Sequence, residues 1–560
     1  MKRGFKKIAA AILTAALVFT LLSAVAWADD LPSGVTWNGD STACTYDGST
    51  ITITGSGMLT VSSDVTISGG ITVSSGTVEI VVSEGATLTS TSGHTVYIAS
   101  GAEVTLSGGT YKCTANDSSN AKKGVVVNYG TCTINSGTYY NSSSANKAWY
   151  TIVNSDNGTM TINGGTFNGD ASSSGSSLVR NVGVYDEDGD STYDSTTCTA
   201  TLTINGGTFG YSNNNKYAVK NDLCGTLVIN GGTFYGSNQS VQNWSKATIN
   251  GGTFEAHVIS WSGNYTLEYS STLTINDGTF ESDVRSVQNY NSTDATSSVT
   301  IYGGTFNGAV CIDVYNGSKS HSSYASENSE NYSSSITIYH GDFTYVDSSG
   351  NAIDISGFVA TDVISVTVNG ETVSVDAVIT VSETSDDGTT TTTAVHALAK
   401  VEAVDATCTI DGNIEYYYCV YDCDAPYFIA ETDEDGNVTY KATTLAAVTI
   451  EAEHSWDYDN PSITWSNDYS TVTIVYTCTV CGETFTVTDY VITSVENEDG
   501  SITYTAMYTG PDGGNYETDV TVTGSSTAAA TGDPGIALWI VLIALAGCGA
   551  IGFGLKRRFE

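Results

Sequence analysis

A seven-residue unit, Thr-Ile-Asn-Gly-Gly-Thr-Phe, recurs between residues 105 and 343 of this 560-residue chain. It is intact at 161–167, 203–209 and 248–254, and slightly changed at 228–234, 274–280, 300–306 and 337–343. Looser copies stand at 105–111 and 133–139. The second glycine of the unit falls at Gly109, Gly137, Gly165, Gly207, Gly232, Gly252, Gly278, Gly304 and Gly341. The shortest step between copies is thus 20 residues, about what one coil of a stacked solenoid requires. Within a unit the apolar positions alternate, which is the period of a strand. No single unit can bury its own apolar face, so the copies must stack. Stacking predicts an aliphatic ladder from Leu106 through Ile162, Ile204 and Ile249 to Ile338. It predicts a second, aromatic ladder from Tyr111 and Tyr139 through Phe167, Phe209, Phe234, Phe254, Phe280 and Phe306 to Phe343. Both read as core.

A further file supports the same architecture. Most coils carry a short strand ending in asparagine, at Asn128, Asn154, Asn181, Asn221, Asn243, Asn289 and Asn316. Asparagine tolerates a tight turn and can bond to its copy in the next coil. The coil after Phe254 departs, with Ser260-Trp261 where the asparagine should be. This pattern resembles the asparagine ladder of right-handed parallel β-helix proteins, the pectate-lyase-like group, over about residues 35–345. The resemblance implies the fold and says little of function. The expected class is all-β: a right-handed parallel β-helix solenoid, then small β-rich modules, then one C-terminal transmembrane helix.

The ends speak of location. Lys2, Arg3, Lys6 and Lys7 precede an apolar run and Ala26-Trp27-Ala28, the pattern of a secretory signal. Residues 536–555 are apolar and uncharged, enough to cross a bilayer as a helix, and Lys556-Arg557-Arg558 follows at once. The order resembles the cell-wall sorting signal of Gram-positive surface proteins. Thr531-Gly532 matches its cleavage site, but Ala528 and Ala529 stand where Leu and Pro would be. An exported protein anchored in the membrane at the cell surface is therefore expected, with cell-wall attachment open. With 60 acidic and 19 basic residues and a net charge of −41, the chain lacks the basic face that nucleic acid needs.

Extra residues fall preferentially between the asparagine file and the next unit, at 181–203, 289–300 and 316–337. Loops on one edge of a rigid scaffold are where a solenoid places a binding face. Tyr185, Tyr193, Tyr211, Tyr235, Trp244 and Trp261 offer flat faces on which a sugar could stack. Asp186, Asp188 and Asp190 form an acidic loop that could hold Ca²⁺. A solvated loop is the competing reading, since EF-hand spacing is incomplete. The resemblance to β-helix proteins brings in polysaccharide lyases and hydrolases. Lyases of that kind need clustered carboxylates and a basic arginine, and only Arg180 and Arg285 lie between the two ends. Hydrolases need paired carboxylates, and the coils contain no Asp-Asp pair. No catalytic set is expected.

After Val346 the unit stops. Asn369-Gly370 between two short apolar runs signals a hairpin. Cys408, Cys419 and Cys423 follow, then His454, then Cys478-Thr-Val-Cys481-Gly482, with His396 upstream. Two stretches here resemble small repeated modules of surface proteins from Gram-positive gut bacteria. The Cys-x-x-Cys-Gly turn suits a zinc knuckle, and an odd number of cysteines with flanking histidines favours structural Zn²⁺. The exported location favours disulfides. In the coils, Cys198 and Cys224 could pair between neighbours.

The expected division is a signal peptide at 1–28, a β-helix at 29–345 and a β-rich module and linker at 346–395. Cysteine-containing modules follow at 396–453 and 454–523, then a spacer at 524–535, the membrane helix at 536–555 and a cytoplasmic tail at 556–560. The expected function is a non-enzymatic surface scaffold, an adhesin or glycan-binding display protein whose partner is a glycan or another cell's surface. A β-helix polysaccharide lyase or glycoside hydrolase is the alternative, and a purely structural stalk is a further one.

Overall fold

The computed structural model describes residues 31–115, 124–142, 150–170, 177–183, 200–211, 217–236, 239–262, 270–282, 285–291, 296–316, 319–325, 334–344, 355–360, 364–368, 371–384, 391–421, 423 and 426–523. The expected signal peptide and the expected membrane helix lie outside these residues. Among the described residues, no helix is long and apolar enough to cross a membrane. The chain divides into two compact units. The first runs to Ala403 and takes up Glu415–Val448; the second joins Val404–Ile414 to the chain from Thr449.

The first unit is almost wholly strand, in three long sheets. Each coil gives one strand to each sheet in turn. In one coil Thr226–Ile229 enters the first sheet, Thr233–Phe234 the second and Gln239–Asn243 the third, and Lys246–Ile249 then returns to the first. The strands pair in parallel with like opposite like. Ile204 faces Ile229 and then Ile249, and Phe209 faces Phe234 and then Phe254. Such stacked parallel strands fit a β-helix. From Tyr111 to Phe343 successive ring centroids lie 4.7–5.2 Å apart, with planes within 11° of parallel. That distance is the interstrand spacing itself, about 4.8 Å. The two early tyrosines sit in the same buried file because their hydroxyls find carbonyls: Tyr111 donates to Ile80 and Ser107, and Tyr139 to Ser136.

The second glycine of the unit makes the turn between the first and second sheets. From Gly165 to Gly341 its φ lies between +114° and +145°, a region that side chains avoid. A Cβ there would also stand only 2.9–3.3 Å from the carbonyl oxygen of the glycine one coil below.

From Asn128 to Asn243 the asparagine file is a continuous buried hydrogen-bond ladder; Asn316 does not belong to it, because Ile312 stands opposite Asn289 and Asn316 pairs antiparallel with Lys319. Nδ2 of Asn128 donates to Oδ1 of Asn154 at 2.7 Å, and the steps Asn154–Asn181, Asn181–Asn221 and Asn221–Asn243 are each 2.8 Å. A second ladder, on the exposed side, links the asparagines of the repeat itself: Asn135, Asn163, Asn205, Asn230, Asn250 and Asn276, at 2.6–2.8 Å.

Antiparallel strands flank both ends of the parallel stack. Val35–Gly39 pairs antiparallel with Gly57–Val61 at the start. At the far end Gly341–Phe343 pairs antiparallel with Thr391–Val401, which continues into Tyr416–Cys419, Tyr427–Thr432 and Val438–Thr443. Such strands cover the open edges that would otherwise template another chain. Ile364–Val368 and Glu371–Val375, on either side of Asn369-Gly370, pair antiparallel as the turn signal predicts.

The second unit holds two three-stranded antiparallel sheets, Ser462–Trp465 with Val472–Thr477 and Thr484–Thr486, and Tyr490–Glu496 with Ile502–Thr509 and Asn515–Val522. Val472, Ile474, Tyr476, Val487, Ala506 and Tyr508 form its core.

Candidate functional site

In the third sheet of the first unit, the positions before the asparagines point out of the solenoid, by strand alternation. With the positions in register with them, they run Tyr97, Val127, Val153, Arg180, Lys220, Gln242, Ile259, Gln288, Cys311, of which Tyr97, Ile259 and Cys311 precede Ile98, Ser260 and Ile312 in place of an asparagine. Seven of these nine are nevertheless buried, including Arg180 at 8% exposure and Gln242 at 4%. The outward threonines of the first sheet, such as Thr161, Thr203 and Thr248, stay part-exposed.

The row contains the one buried charge cluster among the described residues of the coils. Arg180 Nε lies 2.8 Å from Asp222 Oδ2, and Lys220 Nζ lies 3.3 Å from Asp222 Oδ1. The Arg180 guanidinium stands 5.1 Å from the Tyr150 ring, and Lys220 Nζ 4.3 Å from the Trp244 ring, both cation–π contacts. Burial pushes the Asp222 carboxyl up, but Lys220 and Arg180 outweigh it and hold the group below the usual carboxylate value.

Of the six aromatic residues expected to bind ligand, Tyr185 and Tyr193 lie outside the described residues, as do Asp186, Asp188 and Asp190. Trp261 belongs to the third-sheet strand His257–Ser262. Tyr211 is exposed and Tyr235 part-exposed; they follow second-sheet strands and so stand at the corner where the coil enters the third sheet. Trp244 follows Gln239–Asn243 and stands at the opposite corner. They therefore flank the third sheet and do not form a row. Cys198 lies outside the described residues, and Cys224 occupies a turn at φ +56°.

The metal candidates sort into two separate groups, one in each unit. In the second unit, strand Val472–Thr477 runs into Cys478, and a tight turn follows. Gly482 donates to the Cys478 carbonyl at 3.0 Å, with Gly482 at φ +77°. Backbone N–H groups of Cys481 and Val480 turn toward the Cys478 thiol and, against burial, bring its pKa down to about 5. A bridge between Trp456 and Cys478 sets His454 beside the turn. Cys408 arrives on the segment closed by the pairing of Gly412 with Ile450. Cys408 Sγ is 3.5 Å from Cys478 Sγ, and Cys481 Sγ is 3.4 Å from His454 Nδ1. Crowding by the other thiols, after burial itself, raises the Cys408 thiol to about 11. Around a tetrahedral ion with bonds of about 2.0–2.3 Å, ligand atoms stand roughly 3.5–3.8 Å apart. His454 Nε2 meets Glu483 Oε2 at 3.2 Å, the outer contact that orients a ligating imidazole. This Cys/His group could hold a metal ion.

Cys419 and Cys423 belong elsewhere. They lie in the first unit with His396 and with His340, four ligand atoms within 4.8 Å of one another. Their two sulfurs are at disulfide-bonding distance. His340 was not legible as a ligand, since it stands inside the last repeat copy, in place of that unit's first glycine. That replacement is the signal that could have found it.

No protein family, curated protein or solved structure compared with this chain matches it.

Proposed function

We propose that the chain is a non-enzymatic, exported surface protein whose β-helix displays a binding face for a glycan or another cell's surface. The carrying observation is the third sheet, whose outward row is covered and whose corners present the exposed ring of Tyr211 and the part-exposed rings of Tyr235 and Trp244; contact with a ligand falls to these rings and not to the buried row. A solenoid acting only as a spacer has no reason to build one face from buried charge and aromatic rings while another presents threonine and asparagine. In the sequence the inserted segments follow the asparagine file, and Tyr211, Tyr235 and Trp244 flank the third sheet. Export and anchoring rest on the basic, apolar and small-residue pattern at 1–28 and on the apolar run 536–555 with its basic tail. The Cys408–His454–Cys478–Cys481 group is read as structural Zn²⁺, on its four-donor, closed composition.

The Arg180–Asp222 contact favours one second reading, a β-helix lyase, because it places an arginine beside a carboxylate. Against it, the charges acting on Asp222 are both cations, and an arginine fixed in an ion pair is a poor base. The test is a panel of polysaccharides passed over the immobilised full chain in detergent, with Ca²⁺ and with chelator. Retention without new reducing or unsaturated ends is expected. Release of such ends overturns the non-enzymatic reading, and loss of both signals overturns glycan binding.

A further inference from the structure

We infer that His340, His396, Cys419 and Cys423 form a second metal site, which ties the last coil of the β-helix to its antiparallel cap. It is independent of the glycan reading and uses different residues from the Cys408 group, in the other unit.

The donors come from distant points of the chain. His340 follows the last first-sheet strand, Ser334–Ile338, and His396 lies in the capping strand Thr391–Val401. Cys419 ends the next strand, Tyr416–Cys419, and Cys423 follows it. That four such donors converge within 4.8 Å is a property of the fold and not of local sequence.

Each histidine is prepared for a ligand. His340 Nδ1 lies 2.6 Å from the Val395 carbonyl oxygen, so it carries the proton and donates. Its Nε2 is then the lone-pair nitrogen, and it stands 3.6 Å from Cys423 Sγ. A hydrogen bond at the far nitrogen that fixes the tautomer is the usual setting of a metal-bound imidazole. His396 is 7% exposed, and its buried Nδ1 has no hydrogen-bond partner. Such an atom is costly unless something fills its lone pair. Its ring and that of His340 lie 5.8 Å apart between centroids, close enough for one ion to bridge them.

A Cys419–Cys423 disulfide is the alternative use of the sulfurs. It would close a loop of only a few residues, where cross-linking stabilises least, and it gives neither imidazole a role. The two states exclude each other. Metal binding takes both thiols as thiolates and releases two protons. Two thiolates and two imidazoles match tetrahedral Zn²⁺.

The experiment uses the full chain, purified in detergent under a thiol reductant and loaded with Zn²⁺ or Co²⁺. Metal content is expected to match the two groups, two ions per chain. The double variant Cys478→Ser/Cys481→Ser should keep one ion, and its Co²⁺ form should show a tetrahedral spectrum with the charge-transfer intensity of two thiolates. Adding His340→Gln should remove that ion. No Co²⁺ in the double variant, with Cys419 and Cys423 titrating as free thiols, overturns the inference. So does an unchanged spectrum after His340→Gln. Should that triple variant fail to fold, Cys419→Ser added to the double variant decides: loss of thiolate charge-transfer intensity supports the site, and an unchanged band, which other cysteines would then be giving, overturns the inference.

Discussion

Asn243 Nδ2 reaches Ser260 Oγ at 3.4 Å, whereas each step below it in the same file joins two asparagines at 2.7 or 2.8 Å. The ladder does not end there. Ser260 bonds Ser271 at 3.1 Å, Ser271 meets Ser297 at 2.8 Å, and Ser297 donates to Asn289. Three buried hydroxyls thus carry the chain of bonds across the coil that lacks its asparagine.

Removing an intact rung should therefore cost more than removing the repair. Asn221 accepts from Asn181 and donates to Asn243 and to the carbonyls of Gly225 and Lys246. Asn221→Ala leaves several of these buried groups without partners, at about 1–3 kcal/mol each when unsatisfied. Ser260→Ala strands fewer and should cost about 1 kcal/mol. Urea unfolding monitored by circular dichroism measures both; an equal effect would show that the ladder is not the main support of this corner.

The two glycines of one repeat should respond differently to alanine. Gly252 has φ +117°, and a Cβ there meets the Gly232 carbonyl oxygen at 3.1 Å. Gly251 has no positive φ, although its Cβ would approach the Asn230 carbonyl oxygen equally closely. Gly252→Ala should cost about 1–3 kcal/mol from backbone strain, and Gly251→Ala distinctly less. Equal losses in thermal melts would mean that carbonyl crowding, not φ, makes the glycine necessary.

Much of this architecture was legible because it repeats. Ile162 and Phe167 announce their sheets by recurring in register, and Asn154 by recurring at a turn. The Ser260 repair was legible only as a gap, since serines at 271 and 297 carry no distinctive spacing. The outer ladder through Asn163 was present in the repeat, yet its bonding depends on coil height, which sequence spacing does not give. The metal groups show the same limit. Cys478 and Cys481 are fixed by a local turn, whereas the assignment of Cys408 to them, and of Cys419 and Cys423 to His340, follows from strand pairing across long separations. The carboxylate at Asp222 gave no signal at all, because Arg180 reaches it only when adjacent coils stack.

Asp222 should make the first unit acid-sensitive. Its folded pKa lies below the ordinary value, so its contribution is present above the unfolded pKa of about 3.9 and is lost as pH falls through the folded value. Asp222→Asn removes a buried counter-charge that Arg180 and Lys220 share, a loss of about 3 kcal/mol at neutral pH. The gap between wild type and variant should close as pH drops below about 4. A gap that stays constant across an acid series of melts would show that the carboxylate charge does not matter.

Glu483 should tune the metal site proposed for the second unit without ligating. Its carboxylate lies 3.2 Å from His454 Nε2, on the far side of the ring from the nitrogen that faces Cys481. It thus favours the tautomer with the lone pair on Nδ1. Glu483→Gln keeps the size and one acceptor oxygen but removes the charge, so binding should weaken roughly 10–100-fold while the Cys478 turn keeps its shape. Zn²⁺ competition against a chromophoric chelator measures the change. Cys481→Ser, which removes a ligand, should lower affinity much further and should melt the second unit at a temperature that no longer responds to added zinc, since an ion that binds only the folded form stabilises by mass action. Unchanged affinity in Glu483→Gln would reduce the contact to an ordinary surface ion pair, and a zinc-independent melt in the wild type would remove the metal from this unit altogether.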